Sequence, residues 1–265
     1  MSPAHNLGST GRPDGPSDSA GQPWAGRAFE PDGRFDDDDG SAPQHLLDAV
    51  ARFRARKVGE ESVIDALRTS RLLVPLVANL GEAGTNDHGH LVDKSQELSI
   101  VTVAGPDGRT VMPVFSSAAA MTAWNADARP VPADAVRVAL AAAQEQTDLV
   151  VLDPTNATEY VIRRPALWAI AQSVEWTPSY ASQLIAAAFA ESIATELSVL
   201  GVELAAGDPD GRLAGPELVV RLQLMDGLTQ PELDATLARL ATRWASSDVI
   251  ATGVDSLRVQ LVASH

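Results

Sequence analysis

Apolar residues recur at helical spacing in two short segments, which predicts that the folded part of the chain begins with two helices. The inward-facing residues would be Leu46, Leu47, Val50 and Phe53 in residues 45–53, and Val63, Ile64 and Leu67 in residues 60–69. The continuous apolar run Leu72–Val77 follows and is typical of a buried strand. Because Pro75 has no N–H to donate, this strand is expected at a sheet edge or at a bulge.

Turn residues and renewed apolar runs predict the rest of the first domain. Residues 98–103 and 109–115 form a predicted hairpin, because Gly105-Pro106-Asp107-Gly108 between them is a strong turn signal. Ser116 or Ser117 would cap a helix over 118–125. After the interrupting Pro130 and Pro132, the pattern predicts a helix over 134–146, strands over 149–152 and 159–162 with a turn over 153–156 between them, and a helix over 166–172.

The pattern changes after a connector, residues 175–180, that holds Trp176 and Tyr180. The predicted elements beyond it are a helix over 181–197, strands over 199–204 and 217–224 joined by the turn Gly207–Gly211, a helix begun by a Thr229/Glu232 capping box, and a strand over 254–262. We therefore predict an α+β protein of two modules. Residues 44–175 would form an α/β domain with a mixed sheet, and residues 176–265 a second domain in the order α-β-β-α-β.

The first 43 residues differ in composition from the rest. They contain 7 glycines, 6 prolines and 5 serines, and their few apolar residues show no period. Such a segment buries too little apolar surface to offset the entropy of ordering it, so it is expected to be a disordered tail. It ends near the acidic run Asp36–Asp39, whose charges repel one another.

Charge and composition exclude several classes of function. The chain of 265 residues carries 35 acidic and 20 basic side chains, a net charge of −15, and no cysteine. Disulfides, thiolate metal sites and cysteine nucleophiles are therefore excluded. The acidic balance argues against general nucleic-acid binding and against docking on anionic lipid. Without a run of about 20 apolar residues or an export signal, a cytoplasmic protein is expected.

Several motifs together resemble the SseB family over about residues 60–172. They are Leu72-Leu73-Val74-Pro75, the hairpin Ser99–Phe115, and Phe115-Ser116-Ser117 leading into Met121-Thr122-Ala123-Trp124. Leu152-Asp153-Pro154 departs from the Asn-Pro of many relatives, and the loop Asn79–Lys94 is expanded and polar. The second module resembles the companion domain of longer members. The resemblance implies no catalytic residues, because the family has none established.

The sequence offers little for metal, cofactor or covalent chemistry. His88 and His90 lie with Asp87 and Asp93 in a polar loop, and a metal there would need distant ligands, so a solvated loop is the simpler interpretation. No nucleophile elbow and no phosphate-binding glycine motif occur. Asp208-Pro209-Asp210-Gly211 begins like a calcium loop but is better explained as a hairpin turn. We predict no catalytic residue, no metal site and no cofactor.

Five residues form the candidate partner surface. Arg52, Arg54 and Arg56, followed by Lys57, are the one local basic patch, which Asp36–Asp39 could also neutralise. Trp176 and Tyr180 in the connector would either pin the two modules together or contribute to a partner-binding surface.

Three functions remain open from these residues. The favoured one is a non-enzymatic interaction or regulatory protein with an unidentified protein partner. The second is an enzyme or small-molecule binder with its site between the modules, which a buried cluster of Asp or Glu with Arg would favour. The third is an RNA- or ribosome-associated factor that uses the Arg52–Lys57 helix. A closed homodimer is compatible with all three.

Overall fold

The computed structural model describes residues 38–79, 97–147 and 149–262, which form an α+β fold, as the sequence predicts, with two main hydrophobic cores and two smaller apolar clusters. The predicted tail falls outside these residues up to residue 37, and so does the loop that holds His88 and His90. Residues 38–43 are described, and Asp38 accepts a hydrogen bond from Arg71 at 2.6 Å. In the described ranges no helix is long and apolar enough to cross a bilayer.

The first domain contains five helices and seven strands among its described residues. The helices are α1 (Gln44–Arg54), α2 (Glu60–Arg68), α3 (Ala118–Trp124), α4 (Ala135–Gln144) and α5 (Arg164–Ala171). The strands are β1 (Arg71–Asn79), β2 (Glu97–Ile100), β3 (Val103–Ala104), β4 (Thr110–Val114), β5 (Arg129–Asp134), β6 (Leu149–Leu152) and β7 (Tyr160–Arg163).

These strands form two sheets. One has the order β2-β1-β5 and is antiparallel; the other has the order β3-β4-β6-β7 and pairs β4 with β6 in parallel. The predicted mixed sheet is therefore confirmed. Leu73 and Phe115 exchange backbone hydrogen bonds of 2.8 and 2.9 Å, which join the two sheets. The apolar faces of α1, α2, α4 and α5 pack together with both sheets in one core.

The prediction that Pro75 limits its strand to an edge or a bulge is wrong, because β1 lies between β2 and β5. Leu73 directs both its N–H and its C=O toward Phe115, so Pro75, two residues later, also faces away from β5. Pro132 and Pro130 of β5 lie opposite Leu73 and Pro75, at positions that form no hydrogen bond. All three prolines therefore fit the sheet without the loss of a β1–β5 hydrogen bond.

Two further details of the first domain differ from the prediction. β5 is an additional strand, in a segment that Pro130 and Pro132 are predicted to interrupt. The predicted strand over 98–103 is divided, since β2 pairs with β1 and only β3 forms the hairpin with β4. The predicted cap of α3 is confirmed at Ser117, whose hydroxyl accepts the Ala120 N–H at 3.1 Å.

The second core is built by three helices and a three-stranded sheet after a short 3-10 helix at Ser179–Ala181. The elements are α6 (Gln183–Ile193), β8 (Val199–Ala206), β9 (Leu218–Leu224), α7 (Gln230–Ser246), α8 (Asp248–Gly253) and β10 (Leu257–Val262). The sheet order is β10-β9-β8, with β10 parallel to β9. The predicted order α-β-β-α-β thus gains a further helix, α8, in residues 248–253, for which no element is predicted.

Candidate functional site

A buried arginine joins the two cores. Arg163 is the last residue of β7, and its guanidinium crosses to the second core. One nitrogen donates to Asp208 Oδ2 at 2.7 Å and to the carbonyl oxygen of Gly215 at 3.0 Å; the other donates to Asp255 Oδ2 at 3.1 Å. The side chains of Arg163 and Asp208 are 8% and 3% exposed, so this ion pair is shielded from solvent.

Asp208 also shapes the loop between β8 and β9. Its carboxylate accepts the N–H of Leu213 at 2.8 Å and of Arg212 at 3.2 Å. The predicted hairpin turn is therefore longer than Gly207–Gly211 and folds around a buried carboxylate. This single side chain closes the loop and holds the guanidinium of Arg163.

The loop between β8 and β9 docks on the mixed sheet of the first domain. Leu213 is buried there, in a cluster with Val111, Leu149, Val151 and Val161. Val161 of the edge strand β7 donates its N–H to the carbonyl oxygen of Gly211 at 2.8 Å. The loop thus covers both the outer face and the free edge of the sheet, which protects that edge from pairing with another chain.

A cleft opens beside this network. Arg109 donates to Asp107 at 2.7 Å and to both oxygens of Asp255 at 2.9 and 3.0 Å. The cleft measures about 510 Å³ and is lined by residues of both domains, namely Pro106, Asp107, Arg109, Leu213, Ala214, Gly215, Pro216, Asp255 and Ser256. Clefts between domains are common ligand sites.

Two carboxylates from different domains line a small cavity at the same junction. Glu60 begins α2, Glu217 precedes β9, and the cavity between them measures about 10 Å³, the size of one water molecule. Burial raises the pKa of Glu60 to about 7, Glu217 adds repulsion, and Arg163 opposes the shift. Burial also raises the pKa of Glu217, although the Asp255 N–H that it accepts at 2.5 Å counteracts the shift.

Trp168 lies beside Arg164, the residue that follows Arg163 in the sequence. Arg164 donates to the carbonyl oxygens of Ala251 at 3.0 Å and Val254 at 2.9 Å, and its guanidinium lies 5.3 Å from the centre of the Trp168 ring. Trp168 is 43% exposed, whereas every other Phe, Tyr and Trp side chain among the described residues is buried or half-buried. Its groove, of about 290 Å³, is lined by Ala139, Ala142, Ala143, Gln146, Thr147, Arg164, Leu167 and Trp168, and is called the Trp168 groove below.

The predicted basic patch is partly used between the domains. Arg54 donates to the carbonyl oxygens of Ala157 and Glu159. Arg56 donates to Asp210 at 2.7 Å and to the carbonyl oxygen of Pro209 at 2.6 Å, whereas Arg52 is exposed. Of the two described residues of the acidic run, Asp38 pairs with Arg71 and Asp39 accepts the N–H of Ser41 at 2.8 Å.

The two connector aromatics face different cores. Trp176 packs against the first core and lines the cavity between Glu60 and Glu217. Tyr180 packs against the second core, and both rings are half-buried. Their packing supports the pinning role, and a role in partner binding stays a prediction.

The sequence reasoning missed the residues that make the junction. Arg163 and Arg164 were available as a signal, since two adjacent arginines directly follow the apolar residues of β7. Asp208 is predicted only as part of a turn, and nothing near it in the sequence indicates its ion pair with Arg163. Among the described residues, no three His, Asp or Glu side chains are grouped closely enough to hold a metal ion.

Comparison with known proteins assigns the first domain. Neither the curated proteins nor the solved structures gave a match. Residues 46–169 match the SseB protein N-terminal domain, from the first turn of α1 to α5. The match includes the two initial helices as well as the motifs in β1, β4 and α3 that suggested the resemblance. The first domain of this chain therefore belongs to the SseB family.

Proposed function

We propose that this chain is a non-enzymatic cytoplasmic interaction protein and that the Trp168 groove receives an apolar segment of a partner protein. The observation that carries the proposal is the 43% exposure of Trp168 beneath the fixed guanidinium of Arg164. Tryptophan and arginine are the residues most often responsible for binding energy at protein interfaces.

The shape and lining of the Trp168 groove suit an apolar segment. Three alanines of α4 leave space beside Trp168, and Leu167 adds an apolar wall. Arg164 is held by two carbonyl oxygens at the end of α8, so little side-chain entropy would be lost on binding. A volume of about 290 Å³ suits one or two apolar side chains of an amphipathic helix.

RNA binding has less support than protein binding. The guanidinium groups of Arg54 and Arg56 already bind backbone carbonyls and Asp210. Fewer cations of this patch are therefore available to neutralise phosphates.

Site-specific photocrosslinking in the native host tests the proposal. A photoreactive amino acid is placed at Gln146, which is exposed and lines the groove, and as a control at the exposed Glu203 of β8. The proposal predicts one protein crosslinked from position 146 and lost when Trp168→Ala is added. Crosslinks that are the same from both positions, or unchanged by Trp168→Ala, would contradict it.

A small-molecule binder between the domains is the second candidate, because the buried Arg163–Asp208–Asp255 cluster borders the cleft of about 510 Å³. Arg109 and Asp107 give this cleft both signs of charge, which suits a small zwitterion. A thermal-shift screen of the free amino acids tests it. An amino acid that raises the Tm of the wild type but not of Arg109→Met would support a ligand site. If no amino acid changes the Tm, the small-molecule candidate is wrong and the interaction proposal is the one that stays.

A further inference from the structure

The sheet of the second domain has two edge strands, β8 and β10, and the outer edge of β10 is the less protected of the two. In the described chain the sheet order is β10-β9-β8, and β10 pairs with β9 along all six of its residues. β10 contains no proline, lysine or bulge, and Arg258 is its one charged residue, whereas β8 has a bulge between Val199 and Gly201. Leu261 and Val262 of β10 are 45% and 37% exposed.

The register defines which backbone groups face outward. Leu218 donates its N–H to the carbonyl oxygen of Ser256 at 3.0 Å, and Leu218 is the partner of Leu257. In a parallel ladder, Ser256, Arg258 and Gln260 therefore face β9. The N–H and C=O groups of Leu257, Val259 and Leu261 point away from the sheet.

An apolar groove borders this edge. It measures about 330 Å³ and is lined by Arg164, Ala241, Trp244, Ala245, Ile250, Ala251, Val254, Asp255, Ser256 and Leu257. Leu257 lies at its rim and packs on the helix-covered face of the sheet. Since side chains alternate along a strand, Leu261 lies on that same face, four residues away.

We propose that β10 pairs antiparallel with β10 of a second copy, around a two-fold axis at Val259. In this register Leu261 of each copy lies opposite Leu257 of the other and enters the apolar groove beside it. The outward N–H and C=O groups of Leu257, Val259 and Leu261 satisfy one another. The two three-stranded sheets become one sheet of six strands with helices on one face.

Self-complementarity favours a second copy over another partner. Centring the pair on Val259 brings Arg258 opposite Gln260, so no like charges meet across the strands. The exposed Leu261 and the groove that it would fill belong to the same chain, which is the requirement for a two-fold interface. Arg164 lines both this groove and the Trp168 groove, so the proposed dimer surface adjoins the Trp168 groove.

Sedimentation velocity of the full chain across micromolar concentrations tests the pairing. The wild type is expected to form a concentration-dependent dimer. Val259→Pro removes an outward N–H without loss of a bond to β9, and Leu261→Asp changes an exposed side chain, so both variants should be folded monomers. Leu200→Asp, at a 53% exposed residue of the opposite edge strand β8, is the matched control and should still dimerise.

The absence of cysteine provides a test of the register. The double variant Arg258→Cys/Gln260→Cys should form disulfide-linked dimers on mild oxidation, and neither single variant should do so, because residue 258 lies opposite residue 260. A wild type that is monomeric throughout, a dimer that survives both Val259→Pro and Leu261→Asp, or a dimer lost only in Leu200→Asp would overturn the proposal. No linked dimer from the double variant would overturn the register.

Discussion

Arg163 and Asp208 form a buried ion pair between the two domains, with Nη2 of the arginine 2.7 Å from Oδ2 of the aspartate. The arginine ends a strand of the SseB domain, and the aspartate folds the loop that docks on that domain's mixed sheet. This contact therefore connects the loop of the second domain to the sheet of the first.

Replacing Arg163 by methionine should destabilise the protein by about 3–5 kcal/mol, because Asp208 would remain buried without its cation, whereas Asp255 keeps its pair with Arg109. Urea denaturation measures this loss. Arg221→Met is the matched control, since its pair with Glu203 is 3.6 Å long and exposed, and it should cost at most about 1 kcal/mol. Equal effects of the two changes would show that burial of the Arg163 pair has no special role.

Shortening Leu213 to alanine should cost about 2–5 kcal/mol, since it empties a buried position between the loop and the mixed sheet. Limited proteolysis should then cut the loop between β8 and β9 faster than in the wild type. Leu200→Ala, at an exposed leucine, should change the free energy of unfolding by less than about 0.5 kcal/mol. A Leu213 variant as stable as this control would mean that the loop does not hold the domains together.

Alanine at Gly211 should be more damaging than alanine at Gly108. Both glycines have positive φ, +62° and +82°, so both changes carry the backbone strain of about 1–2 kcal/mol. Only at Gly211 would the new Cβ collide with the Tyr160 ring, at 2.7 Å from Cε2, whereas Gly108 has open space. Thermal unfolding of the two variants should therefore give a clearly lower Tm for Gly211→Ala, and equal values would argue against the close approach.

The Glu60 carboxyl should make stability fall as the pH rises. Its pKa of about 7 in the folded protein lies above the ordinary value of 4.5, so the folded state holds the proton more tightly. The stabilising contribution is complete below about pH 4.5 and is lost as the pH rises through about 7. Glu217, with its raised pKa, acts in the same direction.

Glu60→Gln keeps a neutral side chain at every pH and isolates this effect from the other carboxylates. The free energy of unfolding is measured for the variant and the wild type at each pH. The value of the variant minus that of the wild type should be larger at pH 8 than at pH 5. The same difference at both pH values would contradict the raised pKa of Glu60.

Local patterns were sufficient for much of the fold. Helical spacing located α1 and α2, because their buried residues Leu46, Val50, Phe53, Val63, Ile64 and Leu67 recur once per turn. β5 is not predictable from local sequence, because Pro130 and Pro132 fit a strand only in their particular register with β1, which lies more than 50 positions earlier. The sequence alone does not show which positions of a strand form hydrogen bonds.

The candidate site was predicted less well for the same physical reason. Arg163 and Asp208 are 45 positions apart, and Arg109 and Asp255 are 146 apart, so no local spacing indicates either pair. Trp176 was singled out from its place in the connector, yet it packs on the first core, and Trp168 is the exposed ring. The exposure of Trp168 depends on which side of α5 the second domain covers, and the residues near Trp168 in the sequence do not indicate that side.

Binding of the crosslinked partner to purified wild type and to Trp168→Ala, measured by calorimetry, tests the central claim most directly. Truncation of a tryptophan that is buried in the interface should weaken binding by about 30-fold or more, which is equivalent to about 2 kcal/mol. Leu200→Ala should bind as the wild type does. If Trp168→Ala binds its partner as tightly as the wild type, the groove is not the docking site and the account of this protein as an interaction module centred on Trp168 is wrong.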